Sequence, residues 1–379
     1  EKIRKGLDGL IASNKITVFR GVGKFESADV VKVIGQDDAY LKAKNIIIAT
    51  GSEPRALNVL PFDYTLIHDS TSFLNITQLP KKLVVIGGGV IGCEFASLHN
   101  AFNVDVTIVE LLPNILSTEG KNVSDYMTTS FKKQGIKIET SVSVTKIEKQ
   151  GGVATLHLTD GRTLEADSIL VSVGRKNNTD TIGIEKTGVL VEKNGSILTN
   201  ERMQTNIAHI YAIGDITGKW LLAHTASHQG LVAADTITGH AAKMHDKAVP
   251  SVIFTHPEVA SIGLTLEKAL LAGFDAVIGK FPFQALGKSQ AAIETDGFVQ
   301  VVVAKSTGEI LGAQVIGYGA STLIAEMAVA MVGEVTIDTV AETIHAHPTI
   351  AESWLEAALQ ALGLPLHLPP KRESTNSKS

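Results

Sequence analysis

The sequence predicts an α/β protein built on doubly wound sheets, followed by a separate α+β domain toward the C-terminus. Three observations carry that expectation. Short Val/Ile-rich runs alternate with glycine turns and helix-compatible stretches, in a composition of 44% hydrophobic and 5% aromatic residues with 34 glycines. One arrangement, a hairpin followed by a buried strand that ends at a glycine turn, occurs twice. At 379 residues the chain is also too long for one core to serve, so two or three domains are expected.

In chain order, Ile3, Leu7, Leu10 and Ile11 recur at helical spacing within residues 1–15, and residues 16–19 read as a strand. The first hairpin joins residues 30–34 and 39–42 through Gly35-Gln36-Asp37-Asp38, and a buried strand at 45–49 ends at Thr50-Gly51-Ser52. The second copy joins residues 153–158 and 163–166 through Asp160-Gly161, and its buried strand at 169–173 ends at Gly174-Arg175. Between the copies lies a βαβ unit over 82–110. After them come a strand and turn at 210–218 and a helix at 225–241. From Val249 the character changes: strands at 298–304 and 310–316 flank a Ser306-Thr307-Gly308 turn, and helices follow at 320–332 and 338–346. The polar stretch from Pro369 reads as a disordered tail. The expected division is 1–74, 75–195, 196–248, 249–365 and a tail at 366–379.

A net charge of −5 without long like-charge blocks gives no basic patch for nucleic acid or anionic lipid. No apolar run approaches the roughly 20 residues that span a bilayer, and no signal-type stretch follows Glu1, so a cytoplasmic location, or the matrix in a eukaryote, is expected. A single cysteine, Cys93, excludes any internal disulfide or redox pair. No metal-ligand pattern is present.

The apolar strand Leu83-Val84-Val85-Ile86 runs directly into Gly87-Gly88-Gly89-Val90-Ile91-Gly92, and a helix-compatible run follows. This is G-x-G-x-x-G in its proper setting. Gly87 makes the tight turn, Gly89 lets the backbone approach a pyrophosphate, and Gly92 lets helix and strand pack closely, while the helix N-terminus offers N–H donors to the phosphates. A second strand at 104–109 ends in Glu110, eighteen residues after Gly92. An acid there accepts bonds from the adenosine ribose and repels a 2′-phosphate, so NAD is expected over NADP. Glu94 lies either near the nicotinamide or simply at the positive end of the helix. Cys93 reads as a small buried residue of that first turn.

Ile210-Tyr211-Ala212-Ile213-Gly214-Asp215 reads as a buried strand ending in an acid, and Leu221-Leu222-Ala223-His224 opens the next helix. Together with Ala49-Thr50-Gly51-Ser52 and Gly174-Arg175 these segments resemble the two-dinucleotide flavoproteins of the pyridine nucleotide–disulfide oxidoreductase family. The resemblance covers essentially the whole chain. It implies an FAD/NAD(P)-binding fold with a C-terminal α+β dimerisation domain entered at Val249-Pro250-Ser251, and both FAD and NAD as cofactors. It places Gly23, Thr50, Gly51, Ser52, Asp215, Leu221, Leu222, Ala223 and His224 against FAD. It places Gly87, Gly88, Gly89, Val90, Ile91, Gly92, Cys93, Glu94, Glu110, Val144 and Gly174 against NAD. Where the family usually has Arg-Pro-Asn after Arg175, this chain has Lys176-Asn177-Asn178.

His345-Ala346-His347-Pro348-Thr349-Ile350-Ala351-Glu352 resembles the C-terminal signature of dihydrolipoyl dehydrogenases, whose catalytic histidine precedes the proline. His347 is then the base that takes a proton from an incoming dithiol, since thiolate is the nucleophile, and Glu352 orients its ring. Thr349-x-x-Glu352 reads equally as a capping box for the helix that follows. His345 reads as a packing or hydrogen-bonding neighbour. The resemblance implies a homodimer that oxidises dihydrolipoamide on the lipoyl domains of 2-oxoacid dehydrogenase or glycine cleavage complexes.

That family places FAD pyrophosphate on a first G-x-G-x-x-G near the N-terminus and uses a C-x-x-x-x-C redox pair soon after it. Neither occurs in these residues, so the chain is expected to be a fragment, inactive as it stands. A redox-dead NAD-binding or dimerisation remnant is the rival from another class. A glutathione-reductase-like enzyme would call for basic residues where Glu110 stands.

Overall fold

The computed structural model describes residues 2–369. The chain forms two compact units, one running through Glu53 and resuming over Arg175–Met244, the other taking Pro54–Gly174 and resuming at His245.

The first unit opens with helix Lys2–Ser13, whose Ile3, Leu7 and Leu10 are exposed. Residues 16–19 do not form the expected strand. Ile16, Val18 and Phe19 are exposed with no paired strand among the described residues, and the segment is held instead where Arg20 N–H donates to the Asp37 carboxylate at 2.7 Å. The pairing strand lies further on, at Val22–Ser27, and forms a three-stranded antiparallel sheet with Val30–Ile34 and Ala39–Lys42. Ile46–Ile48 and Ile210–Ala212 then pair in parallel, and Ile48, Ile210 and Ala212 share a core with Phe25, Ile197 and Ile216. The helix expected at 225–241 spans Ala223–Ile237; its C-cap is Thr238, and Gly239 follows at φ 87°, a conformation that suits a residue without a Cβ.

The second unit carries a five-stranded parallel sheet in the order Ile67–His68, Ser168–Val171, Lys82–Ile86, Asp105–Glu110, Lys137–Thr140. Helices Val90–Ala101 and Lys121–Lys133 are its crossovers, and its three inner strands are largely apolar because a parallel sheet is covered on both faces. A three-stranded antiparallel sheet, Val144–Gln150, Val153–Leu158 and Thr163–Ala166, completes the repeat of the hairpin plan seen in the first unit.

The same unit contains a five-stranded antiparallel sheet, in the order Pro250–Ile253, Val259–Gly263, Ile310–Gly317, Gly297–Ala304, Ala276–Pro282. Its strands Gly297–Ala304 and Ile310–Gly317 are buried at every position. Ile324, Met327 and Trp354 pack it from helices Ala320–Val332 and Glu352–Ala361, and Phe298 and Ile316 pack toward Met127 and Phe131 of the crossover helix. The helix expected at 338–346 is Ile337–Glu342. It stops at Thr343, in extended conformation, because Thr343 and Glu326 engage both ring nitrogens of His345 and draw the chain away from the helix axis. Residues 370–379, most of the expected tail, lie outside the described residues.

Candidate functional site

The glycine motif sits where a parallel strand feeds a helix, and each glycine has its own steric reason. A Cβ on Gly87 would stand 2.5 Å from the Ser172 carbonyl oxygen, and one on Gly92 would stand 1.9 Å from the Gly87 carbonyl oxygen. Both positions are closed by the protein itself. A Cβ on Gly89 would meet nothing within 4 Å, so the space beside it is an open cradle. Gly89 is the N-cap of helix Val90–Ala101 with no side-chain cap, which leaves first-turn N–H groups directed outward. This is the fit a pyrophosphate requires.

Glu110 ends the second strand with its carboxylate against the motif. One oxygen accepts from Gly88 N–H at 2.6 Å and the other from Leu112 N–H at 2.7 Å. The side chain is thereby fixed, and each oxygen keeps a second lone pair for a ribose hydroxyl. Glu94, one turn into the helix, accepts Phe254 N–H at 2.9 Å; burial raises its carboxyl above the usual range, and that bond partly offsets the rise. Cys93 is fully buried with its Sγ 3.4 Å from the Gly88 carbonyl, and burial, reinforced by Glu110 and Glu94, pushes its thiol far above the ordinary range. Val144 places its side chain in the core, so only its backbone can face a ligand, whereas Gly174 is exposed at φ 105°.

In the first unit, Ser52, Arg175 and Asp215 meet although they are far apart in sequence. Ser52 Oγ donates to Asp215 Oδ2 at 2.5 Å, while Arg175 donates from Nε to Ser52 Oγ and from Nη2 to the Ser52 carbonyl, both at 2.6 Å. Arg175 Nε also lies 3.6 Å from Asp215 Oδ2. Thr50 and Asn178 bond reciprocally, Thr50 Oγ1 to the Asn178 carbonyl at 3.1 Å and Asn178 Nδ2 to the Thr50 carbonyl at 2.9 Å. The Lys176-Asn177-Asn178 departure therefore still anchors this loop. Gly23 and Thr50 line one cavity of about 390 Å³ with Lys176, Asn178 and Thr181. Leu221, Ala223 and His224 are exposed around Leu222, the N-cap of helix Ala223–Ile237. Beneath them Gln229 accepts Gly214 N–H through Oε1 at 2.6 Å, and its Nε2, like Thr225 Oγ1, is buried without a partner among the described residues. An orphaned donor at this turn fits a further polar group bound there.

His347 and Glu352 form the third cluster. His347 Nδ1 lies 2.8 Å from Glu352 Oε1, and the other carboxylate oxygen accepts Thr349 N–H at 2.8 Å. Burial acts to raise the Glu352 carboxyl, but the Thr349 bond and the imidazole outweigh it, and the group titrates below the usual range. The His347 side chain is 77% exposed. Only half of the expected capping box forms. Thr349 Oγ1 donates back to the Ala346 carbonyl at 2.6 Å rather than capping the helix, whose N-cap is Ala351. Arg175 and Asn178 entered the sequence reading only as parts of the Gly174-Arg175 motif and the loop after it, with no site role, and Gln229 carried no signal within its helix. Among the described residues no cluster of three or more His, Cys, Asp or Glu could hold a metal, and no helix is long and apolar enough to cross a membrane.

Residues 1–230 match the family described as pyridine nucleotide-disulphide oxidoreductase, and residues 249–358 match the dimerisation domain of that family. The chain belongs to the pyridine nucleotide-disulphide oxidoreductases. Dihydrolipoyl dehydrogenase of Chlamydia pneumoniae is 50% identical over 369 residues, covering 97% of this chain and 80% of the relative. That of Geobacillus stearothermophilus is 40% identical over 375 residues, covering 98% and 80%. Among solved structures, LpdA from Mycobacterium tuberculosis superimposes with a TM-score of 0.88 at 26% identity, over 94% of this chain and 80% of that one. The HOCl-induced flavoprotein disulfide reductase RclA from Escherichia coli gives 0.85 at 26% identity, over 93% and 81%. The pyridine nucleotide-disulphide oxidoreductase fold thus accounts for both repeats of the hairpin plan and for the antiparallel sheet that follows them. Its cofactors are FAD and NAD.

Proposed function

We propose that this chain carries the NAD-binding and acid–base parts of the dihydrolipoyl dehydrogenase reaction, which homodimers carry out on dihydrolipoamide borne by lipoyl domains of 2-oxoacid dehydrogenase or glycine cleavage complexes. The observation that carries this reading is the exposed His347 paired with Glu352, in a chain half identical to a protein of that name. Thr50, Gly51, Ser52 and Asp215, with the helix start at Leu221 to His224, hold FAD; Gly87 to Glu94 and Glu110 hold NAD. When bound, FAD carries the electron pair between a disulfide and the nicotinamide.

The work of the chain's own residues follows from their bonds. Glu352 occupies the Nδ1 side of His347, so the proton taken from a substrate thiol goes to Nε2, and the carboxylate then stabilises the charged ring. The high exposure of His347 suits a substrate presented by another protein and a disulfide on a partner chain that contains the redox pair. Dithiol oxidation needs a redox pair. These 379 residues contain one cysteine, buried and with its thiol raised, so by themselves they bind nucleotide without turnover.

Mixed dimers test this reading. The chain is coexpressed with the Chlamydia pneumoniae relative carrying glutamine in place of its own catalytic histidine, heterodimer formation is verified by native mass spectrometry, and dihydrolipoamide-dependent NADH production is measured. Heterodimers regain activity, and the same mixture with His347→Gln does not. Heterodimers that form and stay inactive would overturn the assignment.

A further inference from the structure

Strands Gly297–Ala304 and Ile310–Gly317 are buried throughout, yet each carries a glutamine. Gln300 and Gln314 are direct register partners, 2% and 3% exposed. On the next strand Ser261 is the partner of Gln314, and beyond it Ser251 is the partner of Ser261. A polar row therefore crosses the sheet. Buried amides are costly unless bonded, and leucine would fill such positions without that cost.

The bonds of the row converge on one turn. Asn122 Nδ2 donates to Gln300 Oε1 at 3.0 Å, Gln300 Nε2 to Gln314 Oε1 at 2.5 Å, and Gln314 Nε2 to the Glu119 carbonyl at 2.6 Å. Ser261 Oγ donates to the Glu119 carboxylate at 2.5 Å. Both ends of Glu119 are thus held by the antiparallel sheet. Its amide in turn bonds the Leu116 carbonyl at 3.0 Å.

Leu116 and Ile115 bring this turn to the glycine motif. Leu116, at a left-handed φ of 48° and fully buried, donates its N–H to the Gly88 carbonyl at 2.8 Å. Ile115 Cγ2 stands 2.7 Å from where a Gly88 Cβ would be, and Ser124 Oγ fixes the Ile115 carbonyl at 2.7 Å. Gly88 is therefore held by Glu110 at its N–H and by Leu116 at its carbonyl.

We infer that the Ser261, Gln314 and Gln300 row positions the nucleotide-binding turn, holding residues 115–119 so that Gly88 and its neighbours stay aimed at the pyrophosphate. None of the three is a catalytic residue; they act through the turn. The inference rests on the reading of Gly87–Gly92 as the NAD site. It extends that site into the antiparallel sheet.

The test is an NADH fluorescence titration of wild-type chain, Gln314→Met and Ser251→Ala, with amide hydrogen exchange on each. Gln314→Met raises the NADH Kd at least fivefold and speeds exchange at Leu116, while Val84, within the parallel sheet, is unchanged. Ser251→Ala removes a bond from the same row on the side away from the turn and leaves Kd within twofold. Should Gln314→Met fail to fold, Ser261→Ala removes the bond to the Glu119 carboxylate and carries the same expectation. An unchanged Kd in a folded variant would overturn the inference. Failure of wild-type chain to bind NADH would instead overturn the reading of the site, and Leu116 exchange would still decide whether the row holds the turn.

Discussion

Gly89 and Gly92 lie three residues apart in one motif, yet substituting alanine at each is expected to do opposite things. At Gly92 the new Cβ would sit 1.9 Å from the Gly87 carbonyl oxygen and 2.8 Å from Ser172 Oγ, so helix and strand must separate. Overpacking of that kind costs about 1–3 kcal/mol, and backbone at 1.9 Å yields less readily than a side chain, so the upper end applies. At Gly89 the Cβ meets no protein atom within 4 Å, and the residue's φ of −76° is open to any L-amino acid. Losing glycine at an N-cap to alanine costs about 0.5–1 kcal/mol, and the reduced freedom of the unfolded chain returns about as much. Stability therefore stays level. The methyl group does enter the space a pyrophosphate needs. Loss of one charge-assisted N–H bond, about 1.5–3 kcal/mol, weakens binding roughly 10- to 150-fold. Thermal unfolding and NADH titration on the two variants separate the effects: Gly89→Ala melts with wild type and binds poorly, and Gly92→Ala melts several degrees lower. Gly89→Ala binding NADH as tightly as wild type would show that no pyrophosphate lies against Gly89.

Other expectations follow from the same geometry. The Glu352 carboxyl titrates below its unfolded value of about 4.3, so its stabilising contribution is fully present above that pH and is lost as pH falls through the folded value. The melting-temperature gap between wild type and Glu352→Gln should then be widest at neutral pH and close toward pH 3; a gap that widens in acid would contradict the assignment. Asp63 accepts the N–H groups of Thr65, Leu66 and Ile67 on one oxygen and pairs Lys149 with the other. Asp63→Ala should cost about 2 kcal/mol by urea unfolding, and a loss under 0.5 kcal/mol would show that solvent replaces those bonds. Cys93 should react with a thiol reagent only as fast as the chain unfolds, because it is buried and its thiolate is strongly disfavoured; rapid labelling of native protein would contradict that placement.

Local signals made some of this legible and long-range pairing made the rest illegible. The motif Gly87–Gly92, the acid at Glu110 and the repeated hairpins are patterns within about thirty residues, where strand period and glycine spacing act directly. Residues 16–19 looked like a strand by composition, but a strand exists only with a neighbour, and the sheet offers its edge to Val22–Ser27 instead. The bridge from Arg175 to Ser52 joins residues 123 positions apart, and no spacing rule points to it. Gln300 and Gln314 sit in runs that read as apolar; their meaning depends on the register that places them side by side and on the turn they reach. At His347 the sequence signature and the helix start coincide, and the observed bonds divide the roles: Glu352 serves the imidazole and the Thr349 amide, while the Thr349 hydroxyl turns back to Ala346.

Titrating the purified chain with NADH and with NADPH at one ionic strength decides whether Gly87–Gly92 and Glu110 form an NAD site. A carboxylate fixed by Gly88 and Leu112 accepts ribose hydroxyls and repels a 2′-phosphate, so NADH should bind at least tenfold tighter, with the difference shrinking for Glu110→Gln. Equal affinity for the two nucleotides, or binding of neither, would show that Glu110 does not read an adenosine ribose here.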